Sequence, residues 1–136
     1  MDWNIFSEII TPNNVMAKRE QKILFVVHEE TAEGWARQEP MYQISSKDVL
    51  NAKQLLVRLT RAKPAYARII QFEYGPLEPL VPSTSRFTWS EIVDDLGGFP
   101  VEIAGLRRTE CVAIVFRELR SRIGSRATVN RRLVID

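Results

Sequence analysis

Residues 22–28 read KILFVVH, and this stretch decides the fold. Ile23–Val27 is a run of five apolar residues, and Ile23, Val26 and Val27 are β-branched. Such a run is short for a helix and too continuous for a strand with one wet face. It predicts a strand buried on both faces, ending at His28, the sole histidine of the chain.

Working outward, the pattern alternates between helix and strand. Lys47–Ala62 is the clearest helix: Val49, Ala52, Leu56 and Leu59 recur at steps of three and four, with Leu55 beside them. Ser45 or Ser46 can cap it, because a serine oxygen accepts from free N–H groups of the first turn. Pro64 prevents the helix from running on. Tyr66–Tyr74 alternates in character and predicts a strand. Thr88–Leu96 reads as a short helix closed by Gly97 and Gly98, and Pro100–Ile103 as a strand. Thr109–Ile123 places Val112, Val115, Phe116, Leu119 and Ile123 on one helical face, with Gly124 at the cap position. Thr128–Ile135 predicts the last strand. Glu29–Glu39 reads as a connection or one loose helical turn, Met41–Ile44 as a short strand, and Trp3–Ile10 as a short amphipathic helix.

These elements predict an α+β fold: one globular domain over residues 1–136, a mixed β-sheet of about four or five strands, and helices packed on it. The alternative is an α/β chain with a winged-helix-like C-terminal part. There Thr88–Leu96 and Thr109–Ile123 serve as helix and recognition helix, and Thr128–Ile135 as the wing. Residues 1–20 form an N-terminal arm or helix. Residues 75–86, with Pro76, Pro79 and Pro82 at threefold spacing, form a polyproline-type internal crossover.

The chain has 136 residues, 45% of them hydrophobic and 26% charged, enough to bury a core without disulfides or a structural metal. Cys111 is the single cysteine, which excludes an intramolecular disulfide and fits a reducing compartment. Asp2 stands where a secretory signal carries its basic residues, and Ile23–Val27 falls far short of the roughly 20 apolar residues that span a bilayer. A soluble cytoplasmic protein with no membrane partner is expected.

The net charge is +2, unevenly spread: residues 107–136 hold eight arginines and three acids, while residues 1–106 hold eleven basic residues and fourteen acids. Arg107, Arg108, Arg117, Arg120, Arg122, Arg126, Arg131 and Arg132 make up the basic tail. On the Lys47–Ala62 helix, Lys47, Asn51, Gln54, Arg58 and Arg61 form a second stripe without an acid. A planar guanidinium donates two parallel bonds to a phosphate, so both stripes point to phosphodiester backbone.

Catalytic signals are sparse. Glycine-rich phosphate loops and the G-x-S-x-G elbow are absent. Ala32 occupies the second histidine position of an H-E-x-x-H pattern begun by His28. A Cys111–His28 nucleophile pair is formally possible. Against it, Cys111 starts an apolar helix face and reads as a small core residue. Glu91, Asp94 and Asp95 read as acids favoured by a helix start rather than a magnesium site. No catalytic residue, metal or cofactor is therefore expected.

The favoured function is a small non-catalytic regulatory or accessory protein that binds DNA or RNA backbone. Arg117, Arg120, Arg122 and Arg126 would make the main contacts, supported by Arg58 and Arg61. The alternative is a protein–protein module, an adaptor, inhibitor or accessory subunit, that turns the same basic surface toward an acidic protein. A homodimer docked through Trp3, Ile5 and Phe6 is compatible with either. An enzyme using His28 with Glu29 or Glu30 ranks last.

Overall fold

A computed structural model describes residues 21–38, 44–73 and 89–135. The element order is β1 (Ile23–Val27), α1 (Glu29–Ala36), α2 (Ser46–Ala62), β2 (Arg68–Phe72), α3 (Trp89–Leu96), β3 (Val101–Leu106), α4 (Ala113–Ile123) and β4 (Ala127–Ile135). Single 3-10 turns follow α2 and α4, and a π turn, Arg108–Val112, precedes α4. No helix among the described residues is long and apolar enough to cross a membrane.

The four strands pair in the order β2-β1-β3-β4, and every pair is parallel. The expected mixed sheet is thus corrected to a parallel one, and the fold to α/β. A connection between parallel neighbours must return the chain to the same end of the sheet, and helices do this here. The alternative's α/β class is the observed one, and only its winged-helix-like C-terminal part is overturned. β3 intervenes between α3 and α4, and β4 lies beside it as a full member of the sheet.

β1 explains why its sequence is apolar throughout. Ile23, Phe25 and Val27 pack into a core with Ile92, Leu96, Val115 and Leu119 of α3 and α4. Leu24 and Val26 pack into the opposite core with Ala32 and Trp35 of α1 and Ala52, Leu55 and Leu59 of α2. Alternate side chains point to opposite faces, so a strand roofed on both sides shows no polar positions.

Local boundaries shift in instructive ways. α2 begins behind a capping box in which Ser45 Oγ accepts from Asp48 N and Asp48 answers the Ser45 N–H. Glu29–Ala36 is a helix rather than a connection, because Ala32 and Trp35 are buried against the sheet while Glu30 is exposed and buried Glu29 is paired with Lys63. Ile44 lies outside any strand. β3 runs three residues further than expected, to Leu106, through Gly105. Gly105 has φ 143°, and a Cβ there would stand 2.2 Å from the Val27 carbonyl oxygen, so only glycine lets β3 lie against β1. The expected Trp3–Ile10 helix, the N-terminal arm and the Pro76–Pro82 crossover lie outside the described residues.

Candidate functional site

The sheet's carboxyl edge is where the chain divides. β1 leaves toward α1 on one face, and β3 leaves toward α4 on the other. Because β1 and β3 are neighbours, a crevice between their ends is the topological switch point at which open α/β sheets usually hold ligands. Both strands leave through a left-handed residue: His28 with φ 65° and ψ 34°, and Arg107 with φ 67° and ψ 60°. Non-glycine residues in that region cost about 1–3 kcal/mol, a strain that tends to accumulate at functional sites.

His28 occupies the N-cap position of α1 but gives the helix no side-chain cap. The cap comes from the next strand. Glu73, the residue after β2, sends its carboxylate across the top of β1. There Oε2 accepts from Glu30 N at 3.0 Å and Thr31 N at 3.4 Å, and Oε1 accepts from Thr31 Oγ1 at 2.8 Å. A carboxylate at a helix N-terminus satisfies orphan N–H groups and meets the positive end of the helix dipole. The same Oε1 stands 2.9 Å from His28 Nδ1. Facing a carboxylate, Nδ1 carries its proton, which directs Nε2 away from Glu73.

Besides Glu73, the side chain that acts on the ring is Cys111. Nε2 has no hydrogen-bond partner among the described residues, and the Cys111 thiol and the Glu73 carboxylate both raise the His28 pKa. His28 is 0% exposed, Cys111 1% and Glu73 6%. Burial pulls the imidazole pKa down. The interactions with Cys111 and Glu73 overcome that pull and hold the pKa at about 9. The ring is therefore an imidazolium at neutral pH, a positive charge held beside Sγ. Cys111 itself lies in the π turn before α4, and such turns appear often at functional sites.

The site thus gathers a carboxylate, an imidazole and a thiol. It can orient the imidazole, stabilise a thiolate and shuttle a proton. Cys111 is buried in the α4-side core, as expected of a small core residue, and also belongs to this polar cluster. Glu29 and Glu30, named beside His28 from sequence, serve elsewhere. Glu29 pairs with Lys63 at 2.5 Å, and Glu30 offers its backbone N–H to Glu73. Glu73 and Thr31 were not singled out from sequence, because nothing in Tyr66–Tyr74 marks one acid as folding back over another strand. Among the described residues, no group of three or more acids, histidines or cysteines is arranged to hold a metal ion. Asp95 accepts from Arg68 at 2.8 Å, tying α3 to β2.

The ten arginines do not share one surface. Arg117, Arg120 and Arg122 lie on α4, on the sheet face opposite α2. Arg120 donates to the Gly124 and Ala127 carbonyls and lies over Phe116, Arg122 pairs with Glu118, and Arg126 donates to the Gly97 and Phe99 carbonyls. Arg107 pairs with Glu110 and lies over Trp35 at the carboxyl edge, and Arg108 opens the π turn. Arg58, Arg61, Arg131 and Arg132 converge between α2 and β4. No protein-family model, curated protein or solved structure matches the chain, so function must be read from these groups themselves.

Proposed function

We propose that this chain is a thiol-dependent enzyme of the acyl-transfer or hydrolysis type, with Cys111 as nucleophile, His28 as general acid and base, and Glu73 as the residue that orients His28. The observation that carries the reading is the buried Glu73–His28 pair at the switch point, with His28 Nε2 left without a hydrogen-bond partner among the described residues and the Cys111 thiol near enough to the ring to act on its charge. It reverses the ranking made from sequence, which paired His28 with its neighbours Glu29 and Glu30. The tertiary contact partners are Glu73 and Cys111.

In the reaction, Sγ adds to an activated carbonyl carbon and forms a C–S bond. The bond to the leaving alcohol or amine breaks, and that group departs with the proton from His28 Nε2. A water then gives its proton to His28 and attacks the thioester, breaking the C–S bond. The acid is released, and the sulfur is left beside the reprotonated His28 as at the start. Throughout, Glu73 keeps Nδ1 protonated and the ring facing Cys111. Because Sγ is buried at rest, the substrate reaches it through a local opening at the strand ends.

The test is alkylation of the native protein by iodoacetamide, followed by intact mass, with p-nitrophenyl acetate as acyl donor. Labelling of Cys111 much faster than global unfolding is expected, together with an acetyl group trapped on the Cys111 peptide. His28→Asn should slow both by about tenfold or more. Labelling that occurs only at the global unfolding rate, or at an equal rate in His28→Asn, leaves Cys111 a core residue and defeats the proposal.

A further inference from the structure

We infer that the groove between α2 and β4 binds the phosphodiester backbone of a nucleic-acid strand. β4 is an edge strand with an excursion: register moves from Ile103↔Val129 to Gly105↔Val134, so β3 advances two positions while β4 advances five. The extra residues stand off the sheet and present Arg131 and Arg132 side by side. Asn130 Oδ1 accepts from Arg132 N at 3.1 Å and shapes the bend. Arg58 Nη1 donates to the Arg132 carbonyl at 3.2 Å and ties the excursion to α2. Between them opens a groove of about 810 Å³ bordered by Arg58, Arg61, Arg131 and Arg132, with Tyr66 and Asn130 at its base and no acid in its lining.

Charge and shape decide the ligand. The nearest carboxylate behind the base is Glu102. Lys22, Tyr66 and Asn130 all donate to it, so it does not cancel the arginines. Burial would raise the Glu102 pKa, and those donors hold it below the usual carboxylate value. The apolar part of the lining is Ala62, Ala65 and the buried Leu133. Tyr66, the one aromatic of the lining, is buried with its hydroxyl donated to Glu102, so no large apolar side chain projects as an anchor of the sort that centres a protein interface. Arg61 and Arg131 are exposed and make no hydrogen bond or ion pair among the described residues. The face of α2 that carries Arg58 and Arg61 continues through Gln54 and Asn51 to Lys47. That path is about 21 Å long, roughly six phosphate steps of one duplex strand, which favours an extended polyanion over a single phosphate.

The experiment is fluorescence anisotropy with labelled random-sequence single-stranded RNA and duplex DNA over a salt series. Arg61→Ala/Arg131→Ala removes two cations with no internal contact to lose. It should weaken binding about tenfold and lower the salt slope by roughly one unit per lost phosphate contact. Arg117→Ala on α4 should leave binding unchanged, and so should Cys111→Ser, which separates this groove from the thiol site. RNA and DNA arms tell which strand type is preferred, and binding to either supports the groove. Salt-independent or absent binding to both probes overturns it. So does an equal loss in Arg117→Ala, or stronger competition by poly-glutamate than by unlabelled nucleic acid, which would assign the groove to an acidic protein.

Discussion

The carboxyl edge above β1 and the arginine groove beside β4 both hold charge, but on opposite physical terms. At the edge, His28 and Glu73 are withdrawn from water, and each depends on named partners for its charge. In the groove, Arg61 and Arg131 stand in solvent, where an extra charge costs the fold little. One region is interdependent because removing Glu73 leaves His28, Thr31 and the first turn of α1 without their acceptor. The other is available because Arg61 and Arg131 make no hydrogen bond or ion pair among the described residues, and Arg58 alone is tied to the Arg132 carbonyl. The expected effects below follow from that contrast.

The largest effect belongs to the backbone beneath the edge. Gly105→Ala forces a Cβ onto the Val27 carbonyl at a φ that alanine rarely adopts. A loss of about 4 kcal/mol or more is expected in urea unfolding, enough to unfold a marginal domain. Near-normal stability would show that β3 can shift away from β1.

Glu73→Ala comes next. It strips the acceptor from His28, Thr31 and the first turn of α1, and breaking a buried charge pair typically costs about 3–5 kcal/mol. Glu73→Gln keeps an acceptor for Thr31 and should recover part of the loss. Equal stability of both variants and the parent would mean that the edge is not held by this carboxylate.

The pH dependence is smaller and has a definite sign. His28 has a folded pKa of about 9 against an ordinary value of 6.5, so its contribution is fully present below pH 6.5 and is lost as pH rises through 9. Unfolding free energy should therefore fall by up to about 3 kcal/mol across that window, the linkage equivalent of the shift. Glu73 and Cys111 are the titratable groups that face the ring. His28→Asn should flatten the profile, and an unchanged profile in that variant would place the pH dependence elsewhere.

The smallest effects test the second half of the contrast. Arg126→Ala loses its bonds to the Gly97 and Phe99 carbonyls and should cost about 1 kcal/mol, leaving nucleic-acid affinity unchanged. Arg131→Ala should do the reverse, with stability within about 0.5 kcal/mol in thermal unfolding and affinity reduced. If both variants changed affinity alike, the division between tethering and ligand-facing arginines would fail.

Much of the architecture was legible in sequence because it rests on local periodicity. β1 follows from its unbroken apolar run, and α2, α3 and the apolar face of α4 from side chains spaced at three and four. Strand direction was not legible: Ile23–Val27 looks the same whether its neighbours run parallel or antiparallel. Nor was the fate of individual arginines. Arg120 and Arg131 carry the same side chain in the same basic segment. One folds onto the carbonyls of its own helix end, and the other stands on an excursion of β4 that no local pattern announces.

The sequence by itself determined that the chain has a doubly covered central strand, a basic C-terminal segment, one histidine and one cysteine. Those are properties of composition and short-range order, which near neighbours in the chain control. Folding in three dimensions is what makes Glu73 cap α1, brings Glu73 and Cys111 to the His28 ring, and gathers four arginines from α2 and β4 at one groove. Those groups are 45 residues apart for His28 and Glu73 and 74 for Arg58 and Arg132. Sheet order and the crossover helices bring them together, and no spacing along the chain encodes such a meeting.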